Sequence, residues 1–167
     1  KKIREGREFV ARWEYDEAEF EGYQTDQELK KKQPPLAKAP MTDCVMDLPK
    51  DFSCLSIDND LLHIINSRES HRVYTGETMT LEALSYLLCC TQGVKEIRGK
   101  SYATLRTVPC GGARHEVECY FAVRNVDGLE HGLYHYLPMH HQIEYLGDVE
   151  ERDVWIRESL CGQAWAA

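Results

Sequence analysis

Leu61, Leu62, Ile64 and Ile65 fall on one side of a helical projection of residues 59–67. Spacings of three and four are those of an amphipathic helix, and Asp58 stands where an N-cap is wanted. A second apolar stripe, Leu81, Leu84, Leu87 and Leu88, predicts a core-facing helix over 81–92. Thr80 would open it as N-cap and Gly93 would stop it. Periodicity then lapses, and Pro109, Gly111 and Gly112 mark residues 101–114 as loop. Residues 117–124 are rich in β-branched and aromatic side chains and predict a strand. Asp127-Gly128 is a turn signal. Two short strands follow at 132–137 and 142–146, as a meander or antiparallel pair, before a helix over 153–165. The order of helices, strands and a final helix points to an α+β fold rather than repeated βαβ units.

Upstream, residues 1–30 are charged, with scattered Phe9, Trp13, Tyr15, Phe20 and Tyr23. Phe9 and Trp13 would share one face of a short helix, read as an arm that packs on the main body. Pro34, Pro35 and Pro40 in a polar context predict an extended linker, because proline fixes φ and removes a donor. The organisation expected is an arm and Pro-rich linker over 1–50 and a domain over 51–167.

Composition narrows the function classes. Of the 167 residues 43% are hydrophobic, which suits a globular chain. Twenty Lys plus Arg stand against 28 Asp plus Glu, a formal charge of -8. Binding along a nucleic-acid backbone needs a basic surface, so no nucleic-acid partner is expected. A small phosphate ligand needs only a few local cations. Seven cysteines without CxxC pairs argue against a disulfide framework or a zinc module and fit a reducing cytoplasm. No apolar run approaches the roughly 20 residues that span a bilayer, so no membrane partner is expected.

Two clusters could carry chemistry. Arg68, Ser70 and Arg72 alternate immediately after the first predicted helix. In an extended segment they point to one side and offer two planar guanidinium forks around a hydroxyl, a cradle for phosphate. The bland alternative is a solvated loop whose arginines pair with Glu69 or Glu77. The second cluster is Pro109, Cys110, Gly111 and Gly112, with Arg114 close behind. Adjacent glycines expose backbone N–H groups and let the chain approach a flat ligand. Its alternative is a plain connector before the strand at Val117. The histidines His131, His135, His140 and His141 invite a metal reading, but His131 and His135 are four apart in a predicted strand, which is not a helical ligand pair. Cys89 and Cys90 read as helix packing residues.

Taken in order, residues 67–72, 81–93, 106–115 and 126–138 resemble the nitroreductase-like superfamily, most closely its branch of azoline dehydrogenases that act on thiazole- and oxazole-modified peptides. Pro34-Pro35-Leu36 and Leu48-Pro49 before the domain are similar to that branch too. The resemblance covers about residues 33–163 and implies a nitroreductase-like α+β fold, with a sheet containing antiparallel strands and flanked by helices, assembled as a homodimer with FMN at the interface. It implies that Arg68 and Ser70 hold the FMN phosphate and ribityl chain and that Arg72 lies nearer the pyrimidine edge. The loop of Pro109, Cys110, Gly111 and Gly112 would approach the isoalloxazine, with Arg114 adding charge. The implied activity is that of an oxidoreductase passing hydride through flavin N5 between a reduced nicotinamide or organic substrate and an acceptor. The substrate would be a small molecule or a modified peptide. Cys110 stands where the family usually has serine, and a thiol is a weaker donor. The family fold also continues beyond 161–163, so the domain reads as truncated at its C-terminus. A non-catalytic binding or scaffold protein that has lost flavin is the alternative.

Overall fold

The computed structural model describes residues 2–11, 22, 24–100 and 102–163. The chain divides into two compact units, residues 1–35 and 36–167. In the first, α1 (Lys2–Ala11) is exposed along its length, with Arg4 and Glu8 paired one turn apart. Phe9 lies on α1, whereas Trp13, Tyr15, Phe20 and Tyr23 fall outside the described residues. Thr25 and Glu28 cap a turn reciprocally: the Thr25 N–H donates to Glu28 Oε2 (2.7 Å) and the Glu28 N–H to Thr25 Oγ1 (3.3 Å).

The second unit is built on a four-stranded antiparallel sheet in the order β1-β6-β5-β4. Its strands are β1 (Val45–Asp47), β4 (Tyr120–Val123), β5 (Gly132–Leu137) and β6 (Gln142–Gly147). Tyr136 lies opposite Ile143, His135 opposite Glu144, and Tyr120 opposite His135. Since side chains alternate across a strand, this register sorts them onto two faces. One face carries Val123, Tyr134, Tyr136 and Ile143, which join Leu84 and Leu88 of α3 (Leu81–Gln92) and Leu48 in one buried cluster. The other carries Tyr120, His135 and Glu144, and His135 and Glu144 are also fully buried. The two central strands are therefore covered on both faces.

Helix α3 matches its expected limits: the Thr80 side chain accepts from the Ala83 N–H (3.2 Å), and the Gly93 N–H closes the last turn on Cys89 O (2.8 Å). Helix α2 (Leu61–Ser67) is capped by Asp60 rather than Asp58. The Asp60 carboxylate accepts from the Leu62 and His63 N–H groups (3.0 and 3.1 Å). Asp58 instead accepts from the Asp60 N–H (2.8 Å) and pairs with His63, an aspartate turn one step ahead of the cap.

The stretch expected to be loop contains a strand. β2 (Val94–Arg98) and β3 (Ala103–Arg106) form a separate antiparallel hairpin. Gly99 at positive φ helps turn the chain between them, and the Thr107 N–H returns to Gly93 O (2.9 Å). Periodicity concealed β3 because Ala103, Thr104 and Arg106 are all buried, so inward and outward positions do not alternate in polarity. β1 is likewise an unexpected strand, within the stretch read as arm and linker. α4 (Arg152–Ser159) ends earlier than expected, in a turn where Cys161 and Gly162 both take positive φ and the Gly162 N–H donates to Arg157 O (2.7 Å). Residues 164–165 lie outside the described ones.

Candidate functional site

Arg68 is the C-cap of α2, in extended conformation, with its N–H donating to Ile64 O (3.1 Å). From there the chain runs without regular structure to Thr78, and Arg68, Ser70 and Arg72 are all exposed. Glu69 pairs with His71 at 3.6 Å. The far end of the segment is tied to the β4–β5 turn. There Asn125 Nδ2 donates to Gly76 O (3.2 Å), and the Met79 N–H donates to Asn125 O (3.1 Å).

The second cluster forms a single 3-10 turn, Gly111–Ala113, after β3. Gly112 takes φ 66°, in the left-handed region that glycine enters without a Cβ clash. A Cβ on Gly111 would meet nothing within 4 Å. Pro109, Gly111 and Gly112 are exposed or nearly so, and this backbone is open to close approach. The Cys110 thiol has internal work: it accepts from the His115 N–H (3.2 Å) and donates to Glu116 Oε2 (3.4 Å). The Ala113 N–H closes the turn on Cys110 O (3.1 Å). Glu116 is held below the usual carboxylate range, first by a backbone hydrogen bond and then by the thiol. Arg114 lies over the Tyr102 ring, 5.0 Å from its centroid, and donates to Tyr102 O (3.3 Å). The two predicted clusters thus sit on separate loops, one following α2 and one following β3.

Arg106 is buried. Its guanidinium donates to Thr104 Oγ1 (3.2 Å), Gln92 Oε1 (3.1 Å) and Leu36 O (3.2 Å). Burial pulls it below the usual arginine range, partly offset by the charge of Glu118.

Two buried polar centres were not foreseen. Ser85 Oγ lies 2.5 Å from Pro49 O and 2.7 Å from His141 Nε2, while Tyr136 Oη lies 2.7 Å from His141 Nδ1. Ser85 has no exposed surface and gives its proton to a carbonyl, so the group is structural rather than a nucleophile and base. A cavity of about 290 Å³ opens beside it, lined by Lys50, Phe52, Cys89, Tyr136, Met139 and His141 among others. The other centre is His135, between Glu118 and Glu144. A hint of the second was strand polarity: a histidine and a glutamate at positions that a half-buried sheet would fill with apolar residues. Among the described residues no group of three or more His, Cys, Asp or Glu side chains could hold a metal ion. No described helix is long and apolar enough to cross a membrane.

No family model matches the chain. Over 87 residues it is 38% identical to the Methanocaldococcus jannaschii protein named "Putative nitroreductase MJ1384", an alignment covering 52% of this chain and 41% of that protein. The chain therefore spans less than half the length of this relative. The α+β architecture, with its antiparallel sheets and flanking helices, is compatible with a nitroreductase-like fold.

Proposed function

We propose that this chain contributes to an FMN-dependent oxidoreductase of the nitroreductase-like kind, assembled as a homodimer. The observation that carries the reading is its 38% identity over 87 residues to a protein named as a nitroreductase. The residues present fit the cofactor. Arg68, Ser70 and Arg72 stand exposed on an extended segment, where two guanidinium groups and a hydroxyl suit a phosphate dianion. At the turn Gly111–Ala113, added side-chain bulk at Gly111 would meet open space, so a flat ring could reach the backbone N–H groups.

In this reading Arg68 and Ser70 hold the phosphate and ribityl chain. Arg72 and Arg114 supply positive charge near the ring, and Pro109, Cys110, Gly111 and Gly112 lie along it. Cys110 shapes the loop through His115 and Glu116 instead of bonding the ring. The bound flavin would supply hydride transfer through N5 between a reduced nicotinamide or organic substrate and an acceptor, while the protein supplies binding, orientation and electrostatics. The substrate belongs to the small-molecule or azoline-modified-peptide class, and the setting is the cytoplasm.

Fluorescence titration with FMN and riboflavin tests this. A charge-assisted hydrogen bond contributes about 1.5–3 kcal/mol. Arg68→Ala should therefore weaken FMN binding roughly ten- to a hundredfold and leave riboflavin, which lacks the phosphate, nearly unchanged. Arg72→Ala should cost less affinity and shift the flavin reduction potential more. Equal losses for both flavins at Arg68→Ala would remove the phosphate assignment. No binding of either flavin to the wild-type chain would favour a flavin-free scaffold role.

A further inference from the structure

Residues 36–42 run across the polar face of the sheet, held by a series of polar clasps. Arg106 Nη2 donates to Leu36 O (3.2 Å). Glu118 Oε1 accepts from the Lys38 N–H (2.8 Å), and Lys38 Nζ reaches Tyr120 Oη (2.9 Å). Glu144 Oε2 accepts from the N–H groups of both Met41 (2.6 Å) and Thr42 (2.8 Å). Thr42 Oγ1 donates to Tyr145 O (3.0 Å), after which the chain joins the sheet as β1.

The two carboxylates are joined by one ring. His135 Nδ1 lies 2.7 Å from Glu144 Oε1, and Nε2 lies 3.3 Å from Glu118 Oε2. The Tyr120 ring stacks on the imidazole, with centroids 4.5 Å apart and 15° between planes. His135 and Glu144 have no exposed surface. Each carboxylate thus uses one oxygen on the imidazole and the other on the backbone of residues 36–42. Glu144 receives three donors at normal distance, which suits an ionised acceptor-only group. A proton placed on it would point at one of those donors. An amide in its place would present an NH2 to the imidazole or to the backbone N–H groups.

We propose that residues 36–42 form a strap held shut by charge: Glu118 and Glu144, ionised on either side of His135, clasp its backbone N–H groups, and removing their charge opens it. Release would also withdraw the Leu36 carbonyl from Arg106, whose strand leads into the turn Gly111–Ala113. The charged and titratable groups around the ring are Glu118, from the segment before β4, Tyr120 of β4 and Glu144 of β6. Lys38 of the strap lies over the Tyr120 ring, and Arg106 of β3 acts electrostatically on Glu118. Burial by itself would raise Glu144. The bonds from His135, Thr42 and Met41 outweigh it and hold the group below the usual carboxylate range. The closed strap is therefore stabilised above the ordinary glutamate value, and that stabilisation is lost as pH falls through the lowered one.

The test uses the full 167-residue chain in two measurements. In an amide NMR titration from pH about 7 to about 2, the Met41 and Thr42 resonances should start downfield and move upfield together. The transition should lie below the usual carboxylate range, with the core Leu88 and Val123 amides unmoved. In brief tryptic digestion near neutral pH, Glu144→Gln should raise cleavage after Lys38 about tenfold relative to exposed Lys32 in the same chain, since cleavage follows the open population. Glu118→Gln, which frees only the Lys38 end, should raise it about threefold and keeps the test decisive if Glu144→Gln does not fold. Amides of Met41 and Thr42 that ignore pH while the sheet stays native would overturn the strap. So would an unchanged Lys38-to-Lys32 cleavage ratio in a folded Glu144→Gln or Glu118→Gln chain.

Discussion

The proton positions around His141 follow from counting donors. Ser85 donates to Pro49 O, so His141 Nε2 must be the N–H that faces Ser85 Oγ, and Nδ1 accepts the Tyr136 hydroxyl. The imidazole is neutral in this arrangement, and burial lowers its pKa from the ordinary 6.5. The sign follows: the folded state resists the second proton more than the unfolded state does. Stability from this group is complete above 6.5 and lost as pH falls from there through the lowered value. His141 has φ 58°, so asparagine, which tolerates that conformation, is the fitting replacement. In urea denaturation, His141→Asn should flatten the loss of stability between pH about 7 and about 5. Tyr136→Phe, which leaves Nδ1 without its donor, should cost about 1–3 kcal/mol. A wild-type pH slope in His141→Asn would show that other groups set it.

At the scale of elements, two glycines that look alike as sequence signals differ in what surrounds them. Gly93 ends α3, and a Cβ there would lie 2.4 Å from Cys89 O, the carbonyl that accepts the Gly93 N–H. The clash is with backbone and cannot be relieved by a rotamer. Gly93→Ala should therefore lose about 1–3 kcal/mol in chemical denaturation. Gly111→Ala meets open space and should stay within roughly 0.5 kcal/mol of wild type. A substantial loss at Gly111 would mean that the turn is packed more closely than its geometry allows. Weakened FMN binding in Gly111→Ala with unchanged stability is the result expected if the turn contacts the ring. The helices separate in the same manner. α2 and α3 each have a side-chain cap and an apolar stripe, but α3 buries Leu84, Ser85 and Leu88, whereas α2 buries none of its residues.

At the scale of the whole molecule, that unburied helix is the largest unsettled feature of the second unit. Leu61 and Ile65 of α2 are 68% and 62% exposed, and Val117 before β4 is 70% exposed. Apolar surface gathered on one element is uncommon on a free monomer and marks a contact surface. A homodimer contact of the kind proposed above would cover it. Sedimentation velocity should show a dimer at micromolar concentration, and Ile65→Glu, which places a charge on the apolar face, should shift it toward monomer. A compact monomer that unfolds cooperatively would reject the assembly.

Local rules were sufficient wherever one segment settles its own energetics. The Thr80 cap, the Gly93 stop, the turn at Asp127-Gly128 and the strands over 132–137 and 142–146 were legible because capping, positive φ and alternation depend on near neighbours. The exposure of Arg68, Ser70 and Arg72 and the open turn at Gly111 also agree with what polarity and glycine content imply. β3 was hidden because a strand covered on both faces loses its alternation, and β1 because three residues at a sheet edge are too few to show a period. Glu118, His135 and Glu144 were hidden because their partners lie on different strands and on residues 36–42, brought together only by the register of β4, β5 and β6. Sequence distance carries no information about such a meeting. A carboxylate can be buried at residue 144 because His135, nine residues away in the chain, lies 2.7 Å from one of its oxygens across the sheet and the Met41 and Thr42 N–H groups meet the other.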